Sequence, residues 1–216
     1  MWWLIHPATA QAGAMQQAWL VLVCAAAVVG IFVYGAILWC VVAYRRDRHE
    51  AQHFTGNVPL EIACTVIPLL VVIGLFIVTY LDEMPVDRVS AQPESRIDAT
   101  GFRWSWRFGY NGDRITSTGT PDVPPTLYLP VGRTTEIDLT TSDVNHSFWV
   151  PGFLFKRDAI PGMRNAFDLT PTRTGTYLSR CAQFCGLDHA LMTFVVDVVP
   201  DDAYDRYIAS NGTVKP

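Results

Sequence analysis

The chain has 216 residues, of which 50% are hydrophobic and 17% are charged, and its formal net charge is −4 at pH 7. This composition is too apolar for one ordinary water-soluble domain, and the excess of apolar residues lies before residue 82. The small net charge gives no sign of a polyanionic partner, and we expect no nucleic acid among the partners.

Two uncharged runs predict a pair of membrane-spanning helices. Residues 18–44 and residues 62–81 contain no charged side chain. At about 1.5 Å per residue, each run is long enough as a helix to cross a hydrocarbon core about 30 Å thick. Tryptophan and tyrosine residues lie near the ends of the runs, as is typical at membrane–water interfaces. We therefore expect a transmembrane helical hairpin over residues 18–81, with a loop at residues 45–61.

The positions of the arginines predict the orientation of this hairpin. The loop carries Arg45, Arg46 and Arg48, whereas residues 1–17 contain no Lys or Arg. Because positive residues favour the cytoplasmic side, we expect the loop in the cytoplasm and both termini outside. Residues 1–17 lack the basic region and the long apolar run of a signal peptide, so we interpret them as an extracytoplasmic N-terminal segment.

Glu61 lies at the start of the second helix, two residues after Pro59. Proline at the first helical position and glutamate at the third are common at helix starts. The backbone N–H at the first helical position has no partner within the helix, so proline, which lacks this N–H, is tolerated there. The helix dipole favours a negative charge near the start of the helix. By themselves, these residues predict a structural role for Glu61.

Residues 95–200 predict an all-β domain. A polar linker over residues 82–94 precedes it, and a tail with a short helix over residues 201–216 follows it. Apolar and polar side chains alternate over residues 102–108, which predicts one half-exposed strand. The other predicted strands are Thr126–Leu129, Thr134–Thr141, His146–Val150, Arg164–Leu169, Thr176–Cys181 and Thr193–Val199. Several short strands at this spacing are typical of a β-sandwich or barrel.

The spacing C-x3-C-x3-H-x2-M, from Cys181 to Met192, predicts a site for a soft metal. Thiolate and thioether sulfurs select copper or iron–sulfur clusters over hard cations, and imidazole suits copper, zinc or iron. A disulfide between Cys181 and Cys185 is the first alternative on the oxidising side of the membrane. Zinc is the second, but structural zinc has no use for a methionine, and a mononuclear blue-copper site needs only one cysteine. Two thiolates that bridge two copper ions account for both cysteines.

The second imidazole of such a site follows from the predicted topology. Of the five histidines, His6 precedes the first helix, and His49 and His53 lie in the predicted cytoplasmic loop. His146 and His189 are therefore the imidazoles clearly placed in the outer domain. Neither transmembrane run contains a histidine and no C-x-x-C-H motif occurs, so we expect this chain to hold no haem.

Four segments of the outer domain together resemble one family. They are the aromatic segment 101–110, the histidine segment 142–151, the segment Lys156–Gly162 and the cysteine loop 181–192. In this order, after a helical hairpin, they are similar to subunit II of haem–copper cytochrome c oxidases. The resemblance covers nearly the whole chain and implies a cupredoxin fold that holds the binuclear copper centre CuA.

The resemblance implies that two copper ions are bound at six positions: His146, Cys181, the backbone carbonyl of Gln183, Cys185, His189 and Met192. The family usually has glutamate at position 183, and that side chain binds magnesium or manganese at the interface with subunit I. Glutamine preserves the carbonyl, but its amide is a weaker ligand than carboxylate for a hard cation. We therefore expect CuA to be intact and the interface cation to be weakened, absent or differently ligated.

The resemblance also implies roles for two further residues. Trp104 matches the tryptophan that receives electrons from cytochrome c, whereas we interpret Trp106 as a core residue. Glu61 matches a glutamate at the cytoplasmic mouth of the K proton pathway, which leads into subunit I. The family commonly has Glu-x-x-Trp-Thr there, and in this chain Cys64 replaces the tryptophan while Thr65 is kept.

The resemblance implies a subunit of a larger redox complex. Electrons pass from cytochrome c, or a c-type cytochrome domain, to CuA and then to haem in subunit I, where oxygen is reduced to water and protons are pumped. The implied partners are subunits I and III, the electron donor and membrane lipid. Departures from the mitochondrial pattern at Gln183 and Cys64 favour the plasma membrane of a bacterium.

Three other classes of protein share parts of this pattern. Quinol oxidase subunit II has the same hairpin and fold but lacks the copper ligands, so the complete set argues against it. The CuA subunit of a nitric oxide reductase-type complex would have a similar ligand loop. A non-enzymatic copper carrier would usually expose fewer and exchangeable ligands.

Overall fold

The computed structural model describes residues 6–45, 56–110 and 112–216. The chain divides into two compact units. One comprises residues 17–82, and the other comprises residues 83–216 together with the residues that precede position 17. Residues 46–55 of the predicted cytoplasmic loop lie outside the described residues, and they include Arg46, Arg48, His49 and His53. The first five residues of the predicted N-terminal segment also lie outside them, and the orientation of the hairpin stays a prediction.

Two long apolar helices account for the unit of residues 17–82. Helix α1 spans Ala10–Ala43 and helix α2 spans Val58–Asp87. Both are long and apolar enough to cross a membrane, and most of their large apolar side chains are exposed. The prediction of two apolar helices is confirmed. So much exposed apolar surface requires lipid or another subunit to cover it.

Both helices extend beyond the uncharged runs. Helix α1 begins at Ala10, where the Thr9 hydroxyl accepts a hydrogen bond from the Ala12 amide at 3.0 Å and caps the helix. Helix α2 continues to Asp87, so residues 82–87, predicted as the start of a linker, are helical. Hydropathy detects only the apolar part of a helix, and polar residues can continue it.

The outer ends of both helices belong to the second unit and are anchored in it. The Ala10 amide donates to the Thr170 carbonyl at 3.0 Å, and the Thr172 amide donates to the Ala8 carbonyl at 2.8 Å. Near the end of α2, Asp87 accepts a hydrogen bond from the Arg157 guanidinium at 2.5 Å. These hydrogen bonds lie within the second unit.

Glu61 takes part in the cap at the start of α2. The Asn57 side chain accepts a hydrogen bond from the Leu60 amide at 3.3 Å, and the Glu61 carboxylate accepts one from the Asn57 amide at 3.2 Å. Asn57 is therefore the capping residue. This places Pro59 and Glu61 at the second and fourth helical positions, one later than predicted. The structural role predicted for Glu61 is present, because the two side chains pair with otherwise free backbone amides.

The second unit is a sandwich of two five-stranded sheets followed by a short helix. The strands are β1 Ser95–Phe102, β2 Ser105–Tyr110, β3 Ile115–Thr118, β4 Thr126–Pro130, β5 Thr135–Thr141, β6 His146–Val150, β7 Phe155–Ala159, β8 Asn165–Leu169, β9 Gly175–Cys181 and β10 Thr193–Val199, and helix α3 is Asp201–Ala209. One sheet has the order β3-β2-β1-β5-β8 and the other has the order β4-β10-β9-β6-β7. The pairs β1–β5 and β4–β10 are parallel, and the other pairs are antiparallel. The predicted all-β domain is confirmed.

Aromatic side chains fill the space between the sheets. Phe148 packs against Phe194 at a ring-centroid distance of 4.8 Å and against Phe167 at 5.6 Å, and Trp106 packs against Phe194 at 5.4 Å. All four are fully buried. At roughly 1.5–3 kcal/mol for each large buried side chain, this cluster is a main source of the stability of the sandwich. The interpretation of Trp106 as a core residue is confirmed.

The single strand predicted over residues 102–108 is wrong, because the chain reverses inside it. Strand β1 ends at Phe102, strand β2 begins at Ser105, and these two residues pair across a tight hairpin. Arg103 and Trp104 form the turn, which contains no glycine or asparagine. The side chain of Asp143 holds this turn by accepting a hydrogen bond from the Arg103 amide at 2.8 Å. The hairpin moves Trp104 out of the strand face that Trp106 occupies.

Candidate metal centre

The sandwich positions the predicted ligand residues at one end of two neighbouring strands. His146 is the first residue of β6 and Cys181 is the last residue of β9, and these strands pair through Phe148 and Cys181. The cysteine loop begins after Cys181 and returns to Met192, just before β10. The Cys181 amide donates to the Met192 carbonyl at 2.9 Å, which closes the base of this loop.

All six predicted ligand positions meet at the end of the sandwich. The two sulfurs of Cys181 and Cys185 are 3.9 Å apart. The other donor atoms lie near one or other sulfur: His146 Nδ1 at 3.9 Å and the Gln183 carbonyl at 3.2 Å from Cys181, and His189 Nδ1 at 3.4 Å and Met192 Sδ at 3.7 Å from Cys185. Ligand atoms of His146, Cys181 and Cys185 lie within 4.8 Å of one another, as a shared metal site requires.

The two cysteines are free thiols in this structure. Their sulfur separation of 3.9 Å is far longer than the roughly 2.0 Å of a disulfide bond. The structure therefore does not contain the Cys181–Cys185 disulfide that the sequence left as an alternative. Both thiols are buried, as are His146 and Met192, whereas Gln183 is exposed and only its backbone carbonyl faces the cluster.

Asp143 orients the His146 ring, and sequence reasoning did not single it out. Its carboxylate lies 2.8 Å from His146 Nε2 and also accepts hydrogen bonds from the backbone amides of Val144 and Arg103. Burial opposes ionisation, but these hydrogen bonds outweigh it and hold the pKa of Asp143 well below its usual range. An ionised carboxylate can only accept, so Nε2 carries the proton and Nδ1 is left free to face Cys181. An acid three residues before the histidine is the signal that could have found it.

The two thiols differ in acidity. Burial raises the pKa of Cys181, but its hydrogen bonds, chiefly with His146, lower it further, and the net shift is downward. Burial and the neighbouring charge of Cys181 raise the pKa of Cys185 to about 12. For His146, burial lowers the pKa, but contact with Cys181 and Asp143 raises it overall. Thiolate is the form that binds a metal, so a metal bound here must displace the proton of Cys185.

Trp104 lies directly on the cysteine loop. Its indole Nε1 donates a hydrogen bond to the Cys185 carbonyl at 3.2 Å, and the side chain is half-buried. The backbone of Gly186 has φ +120°, and a Cβ there would meet the indole at 3.2 Å, so the missing side chain makes room for Trp104. Glu61, by contrast, lies on α2 in the other unit.

Large apolar side chains form the outer rim of the cluster. Phe184 and Leu187 have exposed fractions of 78% and 88%, and Leu191 is also exposed. The Phe184 ring packs edge-on against the His189 ring at 5.8 Å. The buried donor atoms are therefore separated from bulk water by a thin apolar loop surface.

Comparison with known proteins assigns the family. The family model for the periplasmic domain of cytochrome c oxidase subunit II matches residues 96–199. A probable cytochrome c oxidase subunit 2 of Streptomyces avermitilis is 35% identical over 243 residues, which cover 94% of this chain and 76% of the relative. The chain belongs to the cytochrome c oxidase subunit II family. A further member, from Mycobacterium tuberculosis, is 30% identical over 93% of this chain and 72% of its own length.

A solved structure agrees with the fold of this subunit II. The crystal structure of the periplasmic domain of cytochrome oxidase subunit II of Bradyrhizobium japonicum is 29% identical and superposes with a TM-score of 0.51. It covers 57% of this chain and 96% of that domain. The cupredoxin-type sandwich is thereby confirmed. As a member of this family, the chain is a subunit of a haem–copper terminal oxidase, which is an oxidoreductase, and its two apolar helices fit a bacterial membrane protein.

The donor set of this subunit II fits the copper that the family implies. Two thiols, two imidazoles and one thioether are soft or borderline donors, which bind copper well and bind magnesium or calcium poorly. Within the part of the chain that the structure describes, the cluster has no carboxylate donor, since Asp143 contacts the far nitrogen of His146. The nearest glutamine offers its backbone oxygen to the cluster. The residues present therefore suit copper and do not suit a hard cation.

Replacing Asp143 with alanine is expected to weaken copper binding by about 10- to 100-fold, because partners that orient a ligating histidine typically have effects of this size. Asp143→Asn keeps an oxygen that accepts from Nε2 and should lose less. The measurement is a chelator competition for copper with the full chain in detergent. Asp188→Ala is the control, because it removes the same charge from the cysteine loop, where that side chain makes no capping hydrogen bond. Equal losses in Asp143→Ala and Asp188→Ala would contradict an orienting role.

Proposed function

We propose that this subunit II accepts electrons from a c-type cytochrome at a binuclear copper centre. It would pass them to haem in subunit I, where oxygen is reduced to water and protons are pumped. The observation that carries the proposal is the convergence of two free thiols and two imidazole Nδ1 atoms, with neighbouring donors 3.4–3.9 Å apart. Each imidazole lies beside a different sulfur, as expected if two metal ions each take one imidazole and share both sulfurs.

Six groups would hold the copper: the side chains of His146, Cys181, Cys185, His189 and Met192, and the Gln183 carbonyl. When bound there, copper would supply a one-electron carrier. The protein's own contribution is to hold the donors still. Asp143 fixes the His146 tautomer, strand pairing fixes Cys181, and burial keeps water from both sulfurs.

We propose Trp104 as the residue through which electrons arrive. It is half-buried, so its ring can be approached from outside, and its N–H already contacts the carbonyl of Cys185. A covalent path of a few bonds then leads from that carbonyl to the Cys185 sulfur. The apolar rim of Phe184 and Leu187 beside it offers a contact surface for a small, transient donor complex.

We propose that the interface cation of the family is weakened, absent or differently ligated in this complex. The side chain that would face such a cation is the exposed amide of Gln183, and magnesium and manganese prefer carboxylate oxygen. The copper cluster is unaffected by this change, because it uses the backbone carbonyl of the same residue.

We propose that the copper domain faces the extracytoplasmic side of a bacterial plasma membrane, with subunits I and III as neighbours. The arginines of the loop at residues 45–61 support this orientation.

We further propose that Glu61 takes up protons at the cytoplasmic mouth of the K pathway. Its carboxylate lies at the loop end of α2 and uses one oxygen in the helix cap, which leaves the other oxygen for this second role.

Copper content and spin test the proposed function. The full chain, purified in detergent and loaded with copper under reducing conditions, is expected to bind two copper ions per chain that share one delocalised electron in the electron paramagnetic resonance spectrum. The complex purified with it should consume oxygen with reduced cytochrome c. One copper per chain would contradict the binuclear centre. Turnover of nitric oxide in place of oxygen would favour the nitric oxide reductase alternative, and a fully exchangeable copper without turnover would favour a carrier.

Replacing Trp104 with phenylalanine is expected to slow reduction of the complex by cytochrome c by at least about tenfold, a barrier change of roughly 1.4 kcal/mol. The indole N–H that contacts the Cys185 carbonyl is lost, while the copper ligands are untouched. Stopped-flow reduction of the purified complex measures the rate, and an unchanged copper spectrum shows that the centre is intact. Trp149→Phe is the matched control. Trp149 lies on strand β6 and is also half-buried, but it packs against Arg180 of strand β9. Similar slowing in both variants would argue against Trp104 as the route.

Replacing Gln183 with glutamate is expected to raise manganese affinity of the purified complex by at least about tenfold, since a carboxylate replaces an amide. Manganese electron paramagnetic resonance measures the bound ion. Gln183→Leu serves as the control, because it keeps the backbone carbonyl but supplies no side-chain ligand. Stoichiometric manganese in the natural complex, unchanged in Gln183→Leu, would show that this position does not govern the cation.

A further inference from the structure

The His146 ring rests against a glycine of the neighbouring sheet. Gly101 lies in strand β1, and a Cβ placed on it would be 3.1 Å from His146 Cδ2 and 3.2 Å from both Cβ and Cγ. Contacts this short are tighter than ordinary van der Waals packing, so any side chain at position 101 would press on the base of the imidazole. The absence of a side chain there is what allows the ring its present position.

The backbone at Gly101 is held on both sides and has little freedom to retreat. It pairs with Trp106 of strand β2 in one direction and with Thr141 of strand β5 in the other. Its carbonyl also accepts a hydrogen bond from the Ser142 amide at 3.1 Å. A methyl group added at this position would therefore move the histidine and not the strand.

The ring has no open side into which it could shift without consequence. His146 is fully buried. Its Nε2 is bound to Asp143 at 2.8 Å, the Trp106 ring packs edge-on against it at 6.1 Å, and its Nδ1 faces Cys181 at 3.9 Å. A displacement of a few tenths of an ångström is thus passed to the hydrogen bond with Asp143 or to the distance from the thiol sulfurs.

We propose that Gly101 is a positioning residue for the metal centre, because its missing side chain sets the distance between the His146 imidazole and the two thiols. This inference rests on the proposed binding of copper at the cluster. Metal–nitrogen bonds in proteins vary by only about 0.2 Å, so a shift of a few tenths of an ångström is large on that scale. Asp143 fixes which nitrogen faces the metal, and Gly101 fixes how near that nitrogen comes.

The first test is the copper-loaded full chain carrying Gly101→Ala. We expect two copper ions still to bind, with affinity lowered by about 10- to 100-fold, altered copper hyperfine splitting and a shifted reduction potential. Thr100→Ala is the control, because Thr100 is the preceding residue of the same strand and its hydroxyl bonds Thr140 on the outer face of the sheet. It should keep the natural hyperfine pattern and potential. An unchanged spectrum and potential in Gly101→Ala would overturn the proposal.

A second test measures thermal unfolding and does not depend on copper. Gly101→Ala is expected to lower the thermal midpoint of the metal-free chain by at least about 3 °C, and this loss should disappear when it is combined with His146→Ala. The methyl group then has no ring to press against. If the loss is the same with and without His146, the contact does not exist and the proposal fails. If the natural chain binds no copper pair, the proposed function fails, while this cycle still reports on the contact.

Discussion

One carboxylate ties the metal cluster to the sandwich. Asp143 accepts hydrogen bonds from the His146 ring and from the Arg103 amide, each at 2.8 Å. The first fixes the orientation of a proposed copper ligand, and the second fixes the β1–β2 turn that carries Trp104. Charge-assisted hydrogen bonds to one mostly buried group depend on one another, because each holds the carboxylate where the others need it. A substitution at Asp143 therefore affects the positions of the His146 imidazole and the Trp104 indole together.

The β-sandwich fixes the positions of the donor atoms. His146 and Cys181 are ends of regular strands, so their backbones are fixed by pairing and by the aromatic core behind them. The other donors lie on a short loop whose base is closed by the hydrogen bond between Cys181 and Met192. Donors fixed by the fold have little room to rearrange, which is what the proposed electron carrier would require.

Periodicity and donor chemistry predicted much of this molecule. Six strands match within one residue, because most of them are rich in the β-branched and aromatic residues that favour strands. The turn at Arg103 and Trp104 was missed because it has no turn-forming residue and depends on Asp143, about 40 positions later in the chain. The position of Gly101 beside His146 is a product of tertiary packing. No local pattern reports such contacts, whereas cysteine and histidine spacing reports a metal site directly.

The cysteine loop meets two opposed demands. Its donor atoms must be dry, because thiolates interact more strongly with nearby charges where water is excluded. In the proposed function its outer surface must be open, because electrons would arrive from and leave to other proteins. The loop meets both by turning its sulfurs inward and exposing Phe184 and Leu187, with Trp104 spanning the two environments. Such exposed apolar surface is costly in water and favours cover by a partner. These exposed side chains therefore favour assembly of this chain into its complex.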